Sequence, residues 1–131
     1  MTRHELREAI FKNIFQIPFY EDDIPEIETD EDIECSDEDR EYINTKVALI
    51  KENIKDIDET IEKCSKGWKT KRLGKAELAI LRVAVYEIKY DKDIPDKVAV
   101  NEAVELAKAY CDEKAPAFIN GVLSGLLKSE E

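Results

Sequence analysis

Two short stretches of this chain carry side chains able to do chemistry on a partner. Near the amino end Arg3, His4 and Arg7 stand among Phe11 and Phe15, and a basic run, KGWKTKRLGK, spans 66–75. On a helix, His4, Phe11 and Phe15 form one stripe; Leu6, Ile10, Ile14 and Ile17 form a second that faces a core, with Arg3 and Arg7 between them. Cations interleaved with rings suit phosphate contact combined with base stacking. Phe11 is expected to widen the buried face, whereas Phe15, at the edge of the arc, fits core and surface equally.

Other chemistries lack their residues. His4 is the only histidine, and the three cysteines, Cys35, Cys64 and Cys111, contain no CxxC spacing, so neither a zinc site nor a disulfide framework is indicated. Cys64 and Cys111 fall on apolar helical stripes and read as small core hydrophobes. The acids between Glu21 and Glu41 lack the spaced ligands and turn glycine of a calcium loop. There is no glycine-rich phosphate loop, no nucleophile constellation and no strand pattern, which points away from an enzyme, a metal or a cofactor. With 39% charged residues and a net charge of -11, the surface is soluble and self-repelling, which argues against a membrane role. The opening MTRHELREA has no secretory pattern, so a cytoplasmic location is expected.

The elements that must position these residues are helices. A chain of 131 residues fits one domain. Thr2 and Glu5 have the spacing of a capping box, starting a helix that runs to about Ile17 before Pro18. The acidic stretch 21–41 reads as a loop, and Ser36, followed by Asp37, Glu38 and Asp39, caps the next helix. Ile43, Val47, Ile50, Ile54, Ile57, Ile61 and Cys64 alternate spacings of four and three. That seam fits one dimerising coiled coil or two helices broken near Asn53; the break is preferred, because the acids Asp56, Asp58 and Glu59 suit a first turn and a single domain needs the seam for itself.

Lys75 to Tyr90 is the centre of the reading. Its interior charges, Glu77, Arg82 and Glu87, are five apart and therefore point three ways, so the helix is apolar nearly all round and its neighbours must surround it. A buried Arg82 needs a partner, and Glu102, at the flank of a helix from about Lys97 to Cys111, is the candidate. A last helix begins near Pro116, with Gly121 and Gly125 on one face suggesting a close helix contact.

Trp68, Arg72-Leu73, AELAILRVAVYEI, IPDKVAVNEAVELAKAY and FINGVL, with an echo in REAIFKNIF, closely resemble the NusB family of bacterial transcription antitermination factors. The resemblance implies an all-α fold of seven helices in two small bundles, with subdomains of about 1–65 and 66–131. It implies pairing with NusE, a small-subunit ribosomal protein, and joint binding of the boxA element in ribosomal RNA leaders, helping RNA polymerase read through terminators. It places RNA contacts at Arg3, His4, Arg7, Lys114 and Phe118, and NusE contacts at Phe15 and Glu77. Family members often carry a denser arginine cluster at the amino end. A protein-binding adaptor of the same fold without RNA binding is the alternative; the related domain that precedes RNA methyltransferases fits less well, because this chain is too short for a catalytic half. The free protein is either a monomer or a homodimer that hides the NusE surface.

Overall fold

The computed structural model describes residues 2–16, 36–65 and 73–129. These form six helices: α1 Arg3–Phe15, α2 Asp37–Glu52, α3 Ile54–Cys64, α4 Lys75–Tyr90, α5 Asp96–Tyr110 and α6 Ala115–Ser129. The architecture is all-α, with six helices among the described residues where seven are expected. Most of the 21–41 acidic stretch, the 66–72 part of the basic run, Trp68 and Cys35 lie outside the described residues.

Local sequence sets the helix boundaries. Thr2 and Glu5 form the reciprocal capping box: the Glu5 N–H donates to Thr2 Oγ1 at 3.1 Å, and the Thr2 N–H donates to Glu5 Oε1 at 3.0 Å. Ser36 accepts the Asp39 N–H at 3.2 Å, and three acids fill the first turn of α2, where the helix dipole favours them. The long apolar seam breaks at Asn53, whose side chain donates to the Leu49 carbonyl at 2.8 Å, turned back onto α2 rather than capping α3. The break lets Ile43, Val47 and Ile50 of α2 and Ile54, Ile57 and Ile61 of α3 enter one core.

That core is built round α4. Every residue from Leu78 to Ile88 is buried, and α1, α2, α3, α5 and α6 all pack on this helix. Burying each large aliphatic side chain here contributes roughly 1.5–3 kcal/mol, so Leu78, Leu81 and Ile88, all nearly fully buried, help hold the surrounding helices to one rod. One contiguous cluster joins residues from all six helices.

The glycine reading is half right. A side chain at Gly125 would meet the Cys64 carbonyl at 3.9 Å, so α6 approaches the end of α3 there, but nothing lies within 4 Å of one at Gly121.

Candidate functional site

The three charges of α4 diverge in three directions, and the one pairing expected from the sequence is not the one formed. Arg82, at 2% exposure the most buried charge, lies against α3, where Nε donates to Asp58 Oδ1 at 2.9 Å and Nη2 to Asp58 Oδ2 at 2.8 Å. The expected Arg82–Glu102 pair is therefore incorrect. Glu102 belongs to the α1–α5 contact on another side of α4, while Asp58 follows Ile57 and precedes Ile61 by three residues, which turns it inward with the seam. Reading Asp58 only as a dipole-satisfying acid hid it.

Glu87 points to α1. Arg7 Nε and Nη2 each donate to it at 2.8 Å, a two-pronged bond with both side chains under a tenth exposed. Burial pushes the Glu87 carboxyl above its ordinary range, against the pull of Arg7. As an open cation for phosphate, Arg7 is contradicted: its charge is spent inside the protein. The signal was in the spacing, since Arg7 precedes Ile10 by three, Phe11 by four and Ile14 by seven, within the core stripe.

The remaining residues of the amino-terminal strip stay at the surface. Arg3 is exposed and makes no ion pair among the described residues. His4 is exposed, with Nδ1 2.9 Å from Glu102 Oε2 and Nε2 3.8 Å from Glu8; the bond to Glu102 raises its pKa above the ordinary 6.5. Glu102 also lies 3.7 Å from Arg7 Nη1, so it links the exposed imidazole to the buried pair.

The far end of α1 presents rings. Phe11 is 3% exposed and its centroid lies 5.0 Å from Tyr110, whereas Phe15, 6.2 Å from Phe11, is 42% exposed. Tyr110 is 41% exposed, so two exposed rings, Phe15 and Tyr110, each pack on the buried Phe11. Glu77, at the start of α4, faces the turn after Tyr110. Burial and the nearby Asp112 charge raise its pKa, with the Gly74 N–H opposing them. Cys111 in the same turn is pushed up to about 11 by burial, Glu77 and Asp112, so it is a protonated, unreactive thiol at neutral pH. Phe15 is linked to the carboxyl end of α5 through Phe11, and Glu77 faces the turn that follows that end.

Lys114 and Phe118 open α6. Asp112 Oδ1 accepts the Lys114 and Ala115 N–H groups at 3.0 and 3.1 Å, fixing the turn, and Lys114 projects from an exposed position while Phe118 is half-buried against the core. They are not beside Arg3. His4 touches Glu102, whereas Asp112 is ten residues later, which over the intervening helix is about 12 Å or more.

Between the amino end of α1 and the 91–94 turn lies a pocket of about 370 Å³, which the sequence did not reveal. Leu6, Ile10, Ile50 and Val83 supply aliphatic wall, Tyr42 and Tyr86 supply rings, and Lys46 pairs with Asp91 at 2.6 Å at its side. The Lys46 ammonium stands 5.3 Å from the Tyr42 ring centre and 5.9 Å from that of Tyr86. Among the described residues no cluster of potential metal ligands occurs, and no helix is long and apolar enough to cross a membrane.

Helices packed on one apolar rod, with exposed rings and a few surface cations at their ends, define a helical binding module. Residues 4–128 match the NusB family, and the chain belongs to that family. It is 46% identical over 128 residues to the transcription antitermination protein NusB of Agathobacter rectalis, covering 95% of this chain and 98% of that one. The protein of the same name from Acetivibrio thermocellus is 46% identical over 130 residues, covering 98% and 90%. Among solved structures, T. maritima NusB superposes with a TM-score of 0.87 at 34% identity, covering 98% of this chain and 92% of that one. A chain in a crystal structure of the antitermination factors NusB and NusE in complex with dsRNA gives a TM-score of 0.78 at 30% identity, covering 98% and 99%.

Proposed function

We propose that this protein is a transcription antitermination factor that binds boxA RNA of ribosomal RNA leaders together with NusE and so promotes read-through by RNA polymerase. The observation that carries this is near-full-length similarity to NusB proteins, including one whose structure holds both NusE and RNA. It acts in the cytoplasm by binding rather than by catalysis, without a cofactor, and its two subdomains, about 1–65 and 66–131, share the core around α4.

Arg3, His4, Lys114 and Phe118 are the proposed RNA contacts, and Arg7 supports them from beneath through Glu87 and Glu102. A net charge of -11 repels RNA at long range, so affinity depends on local cations. With two free cations, Arg3 and Lys114, the slope of log K against log salt is about -1.4, at roughly 0.7 per phosphate neutralised on a single strand. Such shallow electrostatics leaves NusE to add basic surface. Phe15, exposed and packed on Phe11, is proposed to dock NusE together with Glu77: an exposed ring suits an interface anchor.

A second reading, an adaptor that binds NusE without RNA, is favoured by Arg7 being neutralised internally and by Glu102 drawing on His4. Titrating boxA RNA into the protein with and without NusE, over a salt series, separates the two. Tightening by NusE with a shallow slope lost in Arg3→Ala supports the RNA reading; no RNA binding by the NusE complex leaves the adaptor.

A further inference from the structure

We propose that the pocket beside Arg3 takes one unstacked nucleobase of the bound strand, with Arg3 on an adjoining phosphate. The inference rests on the RNA-binding reading above and assigns the α2 ring Tyr42 and the pocket mouth to that function.

Size and composition favour a small aromatic group. About 370 Å³ lies within the roughly 300–1,000 Å³ of small-molecule sites, and the walls combine aliphatic side chains with two tyrosine rings. The charges along the wall are largely matched in pairs: Arg7 lies 2.8 Å from Glu87, and Lys46 2.6 Å from Asp91. Asp93 and Glu102 add two further carboxylates, Glu102 being shared between Arg7 and His4, so an anion gains little inside. The carboxylates keep lone pairs beyond those their partners use, and these can accept from the amino and ring N–H groups on a base edge. A flat, uncharged heteroaromatic with donors at its rim meets both conditions.

The mouth supplies the rest. Tyr42 and Val98 line it at 39% and 38% exposure, apolar surface that a stacked base would cover. Arg3 also lines it and has no ion-pair partner among the described residues, so a cation is available at the rim where the sugar–phosphate chain would pass. The wall carries four carboxylates, Glu87, Asp91, Asp93 and Glu102, against Arg3, Arg7 and Lys46, so it offers acceptors to base N–H groups while Arg3 is the lining cation left for a phosphate, which fits a nucleotide better than an aliphatic side chain from a protein. Continuity with Arg3 and His4 at the start of α1 places the pocket on the proposed RNA path.

The test uses single-stranded boxA RNA with NusE present, each nucleotide replaced in turn by an abasic residue, and fluorescence anisotropy as the readout. For the unmodified protein one abasic position should weaken binding about tenfold, in the range of one lost stacking contact. Tyr42→Ala should bind intact RNA about tenfold more weakly and lose the penalty at that position alone, whereas Tyr42→Phe, which keeps the ring, should behave as the parent. Val98→Trp, at an exposed site that narrows the mouth, should reproduce the Tyr42→Ala pattern, which guards against a folding defect in one variant. Binding by Tyr42→Ala as tight as the parent, or equal weakening on every RNA including each abasic one, overturns the proposal while RNA binding stands. Loss of NusE capture by Tyr42→Ala in the absence of RNA gives the pocket to a protein side chain and overturns it too. Failure of the unmodified protein to bind intact RNA removes the RNA reading itself and this inference with it.

Discussion

Two arginine–carboxylate pairs lie in one core and do different things. Arg82–Asp58 is sealed between α3 and α4, with side-chain exposures of 2% and 6%, and no further ion pair extends from it among the described residues. Arg7–Glu87 has almost the same geometry and burial, but it borders the pocket and continues through Glu102 to the exposed His4. Identical chemistry therefore locks one helix contact and, on the opposite side of the rod, supports a surface. What separates them is connection rather than burial.

The largest expected effect comes from breaking the sealed pair. Arg82→Met leaves Asp58 buried without its partner and should lower unfolding free energy by about 3–5 kcal/mol in urea titration. Arg82→Met with Asp58→Leu should recover most of that, because an apolar pair of similar volume avoids both desolvation costs. If the double variant is no more stable than the single one, the pair has a role beyond charge compensation.

Arg7→Met should cost less, about 2–3 kcal/mol, because Glu87 borders a pocket and can neutralise itself by taking up a proton. Without Arg7 its folded pKa rises further above the unfolded value, so the folded form binds more protons and stability falls as pH rises through that value. The deficit should therefore be smaller at pH 5 than at pH 8. An Arg7→Met deficit equal to that of Arg82→Met at every pH would erase the contrast between the regions.

Phe15→Ala tests the surface at the other end of α1. Stability should change by no more than about 0.5 kcal/mol, since the ring is 42% exposed, while NusE affinity should fall by about 2 kcal/mol if the ring anchors that interface. Calorimetry of NusE binding beside a thermal melt separates the two numbers.

The smallest effect is the His4 titration. Its pKa is raised chiefly by the Glu102 bond, so the linked stability is fully present below the ordinary value of 6.5 and is lost as pH rises through the higher folded value. An NMR titration of the imidazole should show that raised midpoint, and Glu102→Gln should bring it back toward 6.5. An unmoved midpoint in the variant would disconnect His4 from Glu102 and from the pair beneath.

Patterns local in the chain were legible before the fold. Thr2 and Glu5 specify a helix start because their partners are backbone groups three residues away, and Ser36 does the same. The three diverging charges of α4 predicted an apolar rod with neighbours on every side, since 100° per residue leaves no common polar face. Asn53 was readable as a break, though its side chain turns back on α2 instead of capping α3. The resemblance to NusB, carried by long ordered runs, supplied the expected partners.

Which charge meets which was decided only by tertiary structure. Arg82 announced that it needed a carboxylate, and the chain offers 31 acids, but helical phase says only that a side chain turns inward, not which helix crosses it there. Asp58 became the partner of Arg82, and Glu87 that of Arg7, because α3 and α1 reach α4 on different sides, a consequence of how five helices pack on one apolar rod. Arg7 looked like a surface cation by type and proved to be a core residue by phase. The pocket joins Arg3, Tyr42, Val83 and Val98 from four separate parts of the chain, so no local spacing encodes it, and it exists only where packed helices leave space between them.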